Sequence, residues 1–125
     1  LFSRMRALCE DDLFVWSGND DNTVPMMSMG ALGVISVASN IVPEAVTELC
    51  RLCLNKDFDA ATKLYFKYAD LFAKLFIEVN PIPVKTAMNL LGMDVGDLRL
   101  PLVAMAPENL EKLKTSLTDV GLKLK

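Results

Sequence analysis

Histidine is absent from the 125 residues, which excludes a histidine-containing nucleophile triad, a histidine metal site and imidazole acid–base work. Cysteine is sparse. The three cysteines are an odd number set among apolar residues at helical spacing, as expected of free, buried thiols in a reducing compartment. Cys50 and Cys53 have the CxxC form, but no second pair accompanies them and both fall mid-helix on the apolar face, so they read as packing residues. Positive charge is not in surplus: 13 Lys and Arg stand against 16 Asp and Glu, a net charge of −3, and no basic stripe marks a nucleic-acid surface. Long apolar runs are missing too. None approaches the length of a membrane span, and no charged-then-apolar leader ends in a small-residue cleavage site, so the expected setting is soluble and cytoplasmic, with no membrane partner.

What is present is 52% hydrophobic content, enough for one domain that buries about two-thirds of its unfolded surface. Residues 33–40 (GVISVASN) form a short, almost wholly apolar β-type run between a glycine turn and a polar loop. Without alternation, such a run predicts a buried parallel strand covered on both faces. A second run, residues 13–17 (LFVWS), lies upstream with a short helical pattern between the two, the spacing of a βαβ unit. Two strands are too few for a stable open sheet, and residues 1–9 already have helical spacing without a cap before them. The expectation is that residue 1 is not a natural beginning.

The chain then reads as a succession of helices. Glu10, Asp11 and Asp12 make a solvated turn. Residues 17–23 form a polar loop at the C-terminal end of the first strand, the edge where binding groups collect in parallel sheets; as turn formers, Asp21, Asn22 and Thr23 also suit a cap for a helix over 24–29 that Gly30 stops. A helix follows over 43–56, with Val46, Leu49, Cys50, Cys53 and Leu54 on one face. The next, over 57–77, carries Asp59, Lys63, Lys67, Asp70 and Lys74 as one polar stripe on an otherwise apolar and aromatic circumference, which predicts packing on more than one neighbour. Pro81 and Pro83 break the chain. Helices are expected again over 84–91 and 107–120, stopped by Gly92 and Gly121, with an aperiodic stretch over 93–105 between them.

No complete catalytic constellation is visible. Gly30 and Gly33 frame a turn rather than a phosphate loop. Asp20 and Asp21 would need further oxygen ligands to hold a cation. A Schiff-base lysine needs desolvation or a cationic neighbour; Lys63, Lys67 and Lys74 lie on the solvated stripe, Lys112, Lys114, Lys123 and Lys125 at an exposed end, and Lys85 beside the proline kink reads first as a surface or paired residue.

Taken in order, SGND (17–20), GVISVASN (33–40), NPIPVK (80–85) and LRLPL (98–102) resemble the C-terminal part of the dihydrodipicolinate synthases, across essentially the whole chain. The last two motifs separate the resemblance from N-acetylneuraminate lyase and the sugar-acid aldolases. It implies an α/β fold: the C-terminal fragment of a (β/α)8 TIM barrel, its last two strands with their helices over 1–56, followed by a small all-α domain over 57–125. A whole barrel needs about 250 residues. The implied activity is that of a class I aldolase-type lyase: a lysine forms a Schiff base with pyruvate, and the enamine adds to aspartate semialdehyde, on the way to diaminopimelate and lysine. No metal or organic cofactor is implied, and copies are expected to associate as dimers or tetramers. The family's lysine, tyrosine and threonines lie on earlier strands, so this fragment holds no catalytic residue and is expected to be inactive alone.

By the same resemblance, Ile35 falls on an isoleucine whose backbone contacts pyruvate, and Gly18 on a glycine whose main chain faces the pocket, with Asn19 and Asp20 beside it where the second substrate binds. The family often has Asp at position 19, so a carboxylate role there is lost while a backbone role is not. Ala106 stands where a capping Ser is frequent, which predicts a frayed start to the last helix. Two other readings stand beside this one: a pyruvate-dependent lyase with another aldehyde, and a non-catalytic helical interaction module.

Overall fold

A computed structural model of the chain describes residues 1–10 and 12–125; Asp11 of the expected solvated turn lies outside the described residues. Two compact units are present, Leu1–Phe66 and Lys67–Lys125.

In the first unit, α1 (Phe2–Cys9) buries no residue, and α2 (Thr23–Ser28), α3 (Pro43–Leu54) and the segments between them share the core. Pro43 in the first turn has no N–H that would need an acceptor, and Glu44 favours the positive helix end. Val46, Leu49 and Cys53 of α3 are buried, together with Met27 of α2 and Ala31, Ala38, Ile41, Val42 and Ala61. The beginning of α2 differs from expectation. It starts at Thr23, directly out of a 3-10 turn (Asp20–Asn22), and Asn22 makes no capping bond. The Asn22 amide instead donates to Asp21 Oδ1 at 3.1 Å, and the buried Thr23 hydroxyl to the Asp20 carbonyl at 2.8 Å.

The two β runs need a larger correction. They meet in parallel, but at one bridge, Ser17 to Val34, and no longer strand forms among the described residues. Ser17 N–H donates to Gly33 O, Ile35 N–H to Ser17 O and Leu32 N–H to Val15 O, each at 2.8 Å. Direction is as expected; length and burial are not. The second run leaves extended geometry for a 3-10 turn at Ala38–Asn40, and Ile35 is 75% exposed, Phe14 72% and Trp16 49%. An apolar run signals that cover is needed on both faces, whereas α3 covers only part of this one.

In the second unit, α4 (Phe58–Lys74), whose first half belongs to the first unit, presents Leu71 and Phe72 to the interior, with Leu75 just beyond its end. Its polar stripe falls as the spacing requires: Asp59, Lys63, Lys67 and Asp70 are exposed, and Lys74 Nζ donates to Asp70 at 2.9 Å. α5 (Ile82–Leu90) begins two residues earlier than expected because Pro83 sits within its first turn, where a missing N–H costs nothing. α6 (Pro107–Asp119) buries Leu113, Ser116 and Leu117. Each fully buried leucine contributes about 1.5–3 kcal/mol of transfer free energy. Gly92 and Gly121, at φ +78° and +92°, follow the ends of α5 and α6 in the left-handed region that an L side chain resists.

The aperiodic stretch after α5 is tied down by that helix. Asn89 accepts from Val95 N–H at 2.8 Å and donates to Gly96 O at 3.1 Å, and Lys85 Nζ donates to Asp97 O at 2.6 Å. The start of α6 is likewise pinned, contrary to the expected fraying. Ala106 offers no cap, but the Glu78 carboxylate accepts from Ala106 N–H and from the Asn109 amide.

Candidate functional site

The residues singled out from the sequence gather on two loops that leave the Ser17–Val34 bridge at the same end. On the first loop the Ser17 side chain is fully buried and organises the turn: its hydroxyl donates to Asn19 O at 2.7 Å and accepts from Asn19 N–H at 3.2 Å. Gly18 and Asn19 are exposed between Ser17 and Asp20. A Cβ added at Gly18 would meet no atom within 4 Å, and its φ lies outside the left-handed region. Neither backbone strain nor crowding within this chain calls for glycine there. On the second loop, the Ile35 N–H is taken by Ser17 O while its side chain is exposed.

Asp20 points the other way. It is 2% exposed, and its carboxylate spans the two loops: Oδ1 accepts from the Ser36 hydroxyl, and Oδ2 from Val37 N–H at 3.1 Å and Ala38 N–H at 3.0 Å. The 3-10 turn at Ala38–Asn40 thus receives a negative charge at its N-terminal end. The Ser36 hydroxyl in turn accepts from Ser39 N–H at 2.8 Å, and Ser39 Oγ donates to Ser36 O at 3.0 Å. Gly18, Asn19 and Ile35 are therefore together and open, while Asp20 is beside them with its carboxylate already occupied. Sequence reasoning places Ser17 in the candidate loop without its organising role and passes over Ser36; the available signal is the pair of hydroxyls, Ser36 and Ser39, inside an otherwise apolar run.

What this arrangement offers is oriented peptide dipoles at the ends of two extended segments, without a nucleophile among them. Lys85 is not a free amine, being tied to Asp97 O, and lies in the second unit at the edge of a cavity of ≈ 570 Å³. Burial pushes both the Cys53 and Cys50 thiols up; at Cys50 a backbone hydrogen bond from Val34 opposes the shift and the Asp20 charge adds to it. Such thiols are poor nucleophiles and metal ligands. Among the described residues no group of three or more Cys, Asp or Glu could hold a metal ion, and no helix is long and apolar enough to cross a membrane.

The sequence matches the dihydrodipicolinate synthetase family over residues 1–120. It is 53% identical over 115 residues to the 4-hydroxy-tetrahydrodipicolinate synthase of Clostridium novyi (strain NT), covering 92% of this chain and 39% of the relative. Dihydrodipicolinate synthase from Aquifex aeolicus matches in structure with a TM-score of 0.94 at 48% identity, over 99% of this chain and 42% of that one. The chloride-inhibited dihydrodipicolinate synthase from Acinetobacter baumannii, complexed with pyruvate, matches with a TM-score of 0.93 at 37% identity, over 98% of this chain and 42% of that one. The chain spans about two-fifths of the length of these relatives. Because the matched residues take in both loops and all six α-helices of the described residues, the chain belongs to the dihydrodipicolinate synthetase family.

Proposed function

We propose that this chain is the C-terminal part of a 4-hydroxy-tetrahydrodipicolinate synthase, in which residues 1–56 supply the last two β/α units of a (β/α)8 barrel and residues 57–125 the helical domain. The observation that carries the proposal is the family match over residues 1–120, with a named synthase 53% identical to the chain. The apolar side chains exposed around the bridge, Phe14, Trp16, Leu32 and Ile35, fit the same reading, since neighbouring strands of a barrel would cover them.

In the complete synthase a lysine on a preceding strand attacks the ketone of pyruvate. Water leaves, and an iminium forms. Loss of a methyl proton gives the enamine, which adds through carbon to the aldehyde of aspartate semialdehyde and regenerates an iminium; hydrolysis, or attack on the iminium carbon by the amino group that aspartate semialdehyde brings, returns the lysine. Covalent attachment divides one difficult carbon–carbon bond formation into easier steps. The residues of this chain contribute fixed dipoles beside the charged intermediates. The Ile35 N–H is committed to Ser17 O, so its contact with pyruvate falls to the carbonyl. Gly18 offers the main chain of an exposed turn to the second substrate; both Asn19 backbone groups are engaged by the Ser17 hydroxyl, so its contact falls to the exposed side chain. The proposal includes cytoplasmic location, no metal or organic cofactor, and association of copies into dimers or tetramers.

Borohydride trapping tests it. The complete polypeptide, incubated with pyruvate and reduced, gains a pyruvyl mass on a lysine upstream of Leu1, and the 125-residue chain gains none. A complete polypeptide that is not labelled overturns the proposal. Labelling with pyruvate but turnover only with another aldehyde retains the imine chemistry and removes the synthase assignment.

A further inference from the structure

We infer that Asp20 is a positioning residue for this reaction, clamping the loop that carries Gly18 and Asn19 to the backbone just after Ile35, rather than a contact to the second substrate. The inference rests on the functional reading above and assigns Asp20 a different task within it. The two open loops face substrate with peptide groups, and peptide groups act on a developing charge only when held within a few tenths of an ångström of the productive place. The Ser17–Val34 bridge and the Ile35 N–H bond to Ser17 O fix the start of both loops, and the Ser17 hydroxyl holds Asn19 within the first; beyond Ile35, among the described residues, no backbone hydrogen bond joins the first loop to residues 36–38. Asp20 supplies the missing tie. At 2% exposure it is turned away from solvent, and its two oxygens are filled by Ser36 Oγ and the amides of Val37 and Ala38. A carboxylate engaged by three donors on the opposite loop has little capacity left for an incoming aldehyde or amino group. Its backbone contributes as well, because the Asp20 carbonyl accepts from the buried Thr23 hydroxyl, anchoring the first loop to α2.

A clamp and a chemical participant respond differently to the same substitutions. Asn at position 20 can keep an oxygen on the Val37 and Ala38 amides while its NH2 donates to the Ser36 hydroxyl, which is able to accept. D20N therefore preserves the tie and loses the charge. D20A loses both, and D20S, which leaves a small polar group too short to reach Val37, replaces D20A if that variant does not fold. The experiment compares these chains in the complete synthase. Expected are a fall in kcat/KM of at least 100-fold for D20A with the loss mainly in kcat, a fall of less than 10-fold for D20N, and native-state amide exchange at Val37 and Ala38 at least 10-fold faster in D20A but near the parent rate in D20N. Loss in D20N as deep as in D20A, with exchange unchanged, makes the carboxylate a chemical participant and overturns the inference. So does D20A activity within threefold of the parent. Failure of the parent chain to form a pyruvate adduct defeats the functional reading instead, and the exchange rates still report whether Asp20 ties the loops.

Discussion

The Oε1 atom of Glu78 accepts two hydrogen bonds at once, from the Asn109 amide at 2.8 Å and from the Ala106 N–H at 3.0 Å. A side chain far away in sequence thereby does for α6 what a capping residue at position 106 would do locally. The carboxylate also sits near the positive end of the helix dipole, where negative charge is favourable.

Removing that carboxylate should loosen the beginning of α6 and little else. A net hydrogen-bond contribution of about 1–1.5 kcal/mol corresponds to roughly tenfold faster exchange. Glu78→Ala is therefore expected to speed amide exchange at Ala106 and Leu110 by about that factor, while E78Q, which keeps Oε1 as an acceptor, stays within threefold. Equal exchange in E78A and the parent would show that the cap is not energetically coupled to the helix.

Much of the second unit was legible because its signals are local. Pro107 in the first turn, Leu113 and Leu117 four apart and Gly121 at positive φ define α6 within a residue of its observed end. The same holds for α3, whose length was overread by two residues where the chain turns through Lys56 at φ +62°. The β runs were overread for a different reason. Apolar content over residues 33–40 reports a demand for cover, and sequence cannot say how far pairing extends when few neighbours are at hand. Least legible was the clamp. Asp20 in an SGNDD stretch looks like any turn former, and its partners lie on a loop beyond α2, so nothing local distinguishes a buried acceptor from a solvated one.

The exposed side chains around the bridge make a prediction about the 125-residue chain in isolation. Ile35 is 75% exposed, Phe14 72% and Trp16 49%, next to a bridged pair with open edges, the arrangement that favours pairing with other chains. Sedimentation velocity should show concentration-dependent association at micromolar levels. The F14S/I35T double substitution should shift the distribution toward monomer. A cooperatively melting monomer from the unmodified chain would mean that this surface needs no cover, and would favour the independent helical module.

The cysteines predict a pH dependence with a definite sign. Burial raises the thiol pKa of Cys53, and raises that of Cys50 despite the opposing hydrogen bond from Val34. The folded state therefore holds its thiol protons to higher pH than the unfolded chain does. Stability from this source is fully present below the unfolded thiol range and is lost as pH rises through and beyond it, from about pH 8.5 upward. Urea midpoints of the complete synthase measured between pH 7 and 10 should fall more steeply in the parent than in a C50A/C53A variant. The slope is the relevant readout, since the variant also leaves a small cavity that lowers stability at every pH. Parallel slopes would show that these thiols titrate alike in both states.

Two glycines separate the needs of the fold from the needs of the site. At both Gly18 and Gly121 an added Cβ would meet nothing within 4 Å, but only Gly121 has a left-handed backbone, φ +92°. Gly121→Ala should therefore cost about 1–2 kcal/mol in unfolding free energy, the penalty of placing an L side chain in that region. Gly18→Ala should change stability by no more than about 0.5 kcal/mol, or raise it slightly by restricting the unfolded chain. In the complete synthase, on the proposed placement of the second substrate against Gly18, the order of effects on catalysis reverses: G18A should lower kcat/KM for aspartate semialdehyde at least tenfold, because the methyl group would enter the space assigned to that substrate, and G121A should leave it within twofold. If G18A were as active as the parent, the open space beside residue 18 would not be substrate space, and the placement of the second substrate against Gly18 would be wrong while the imine chemistry stood.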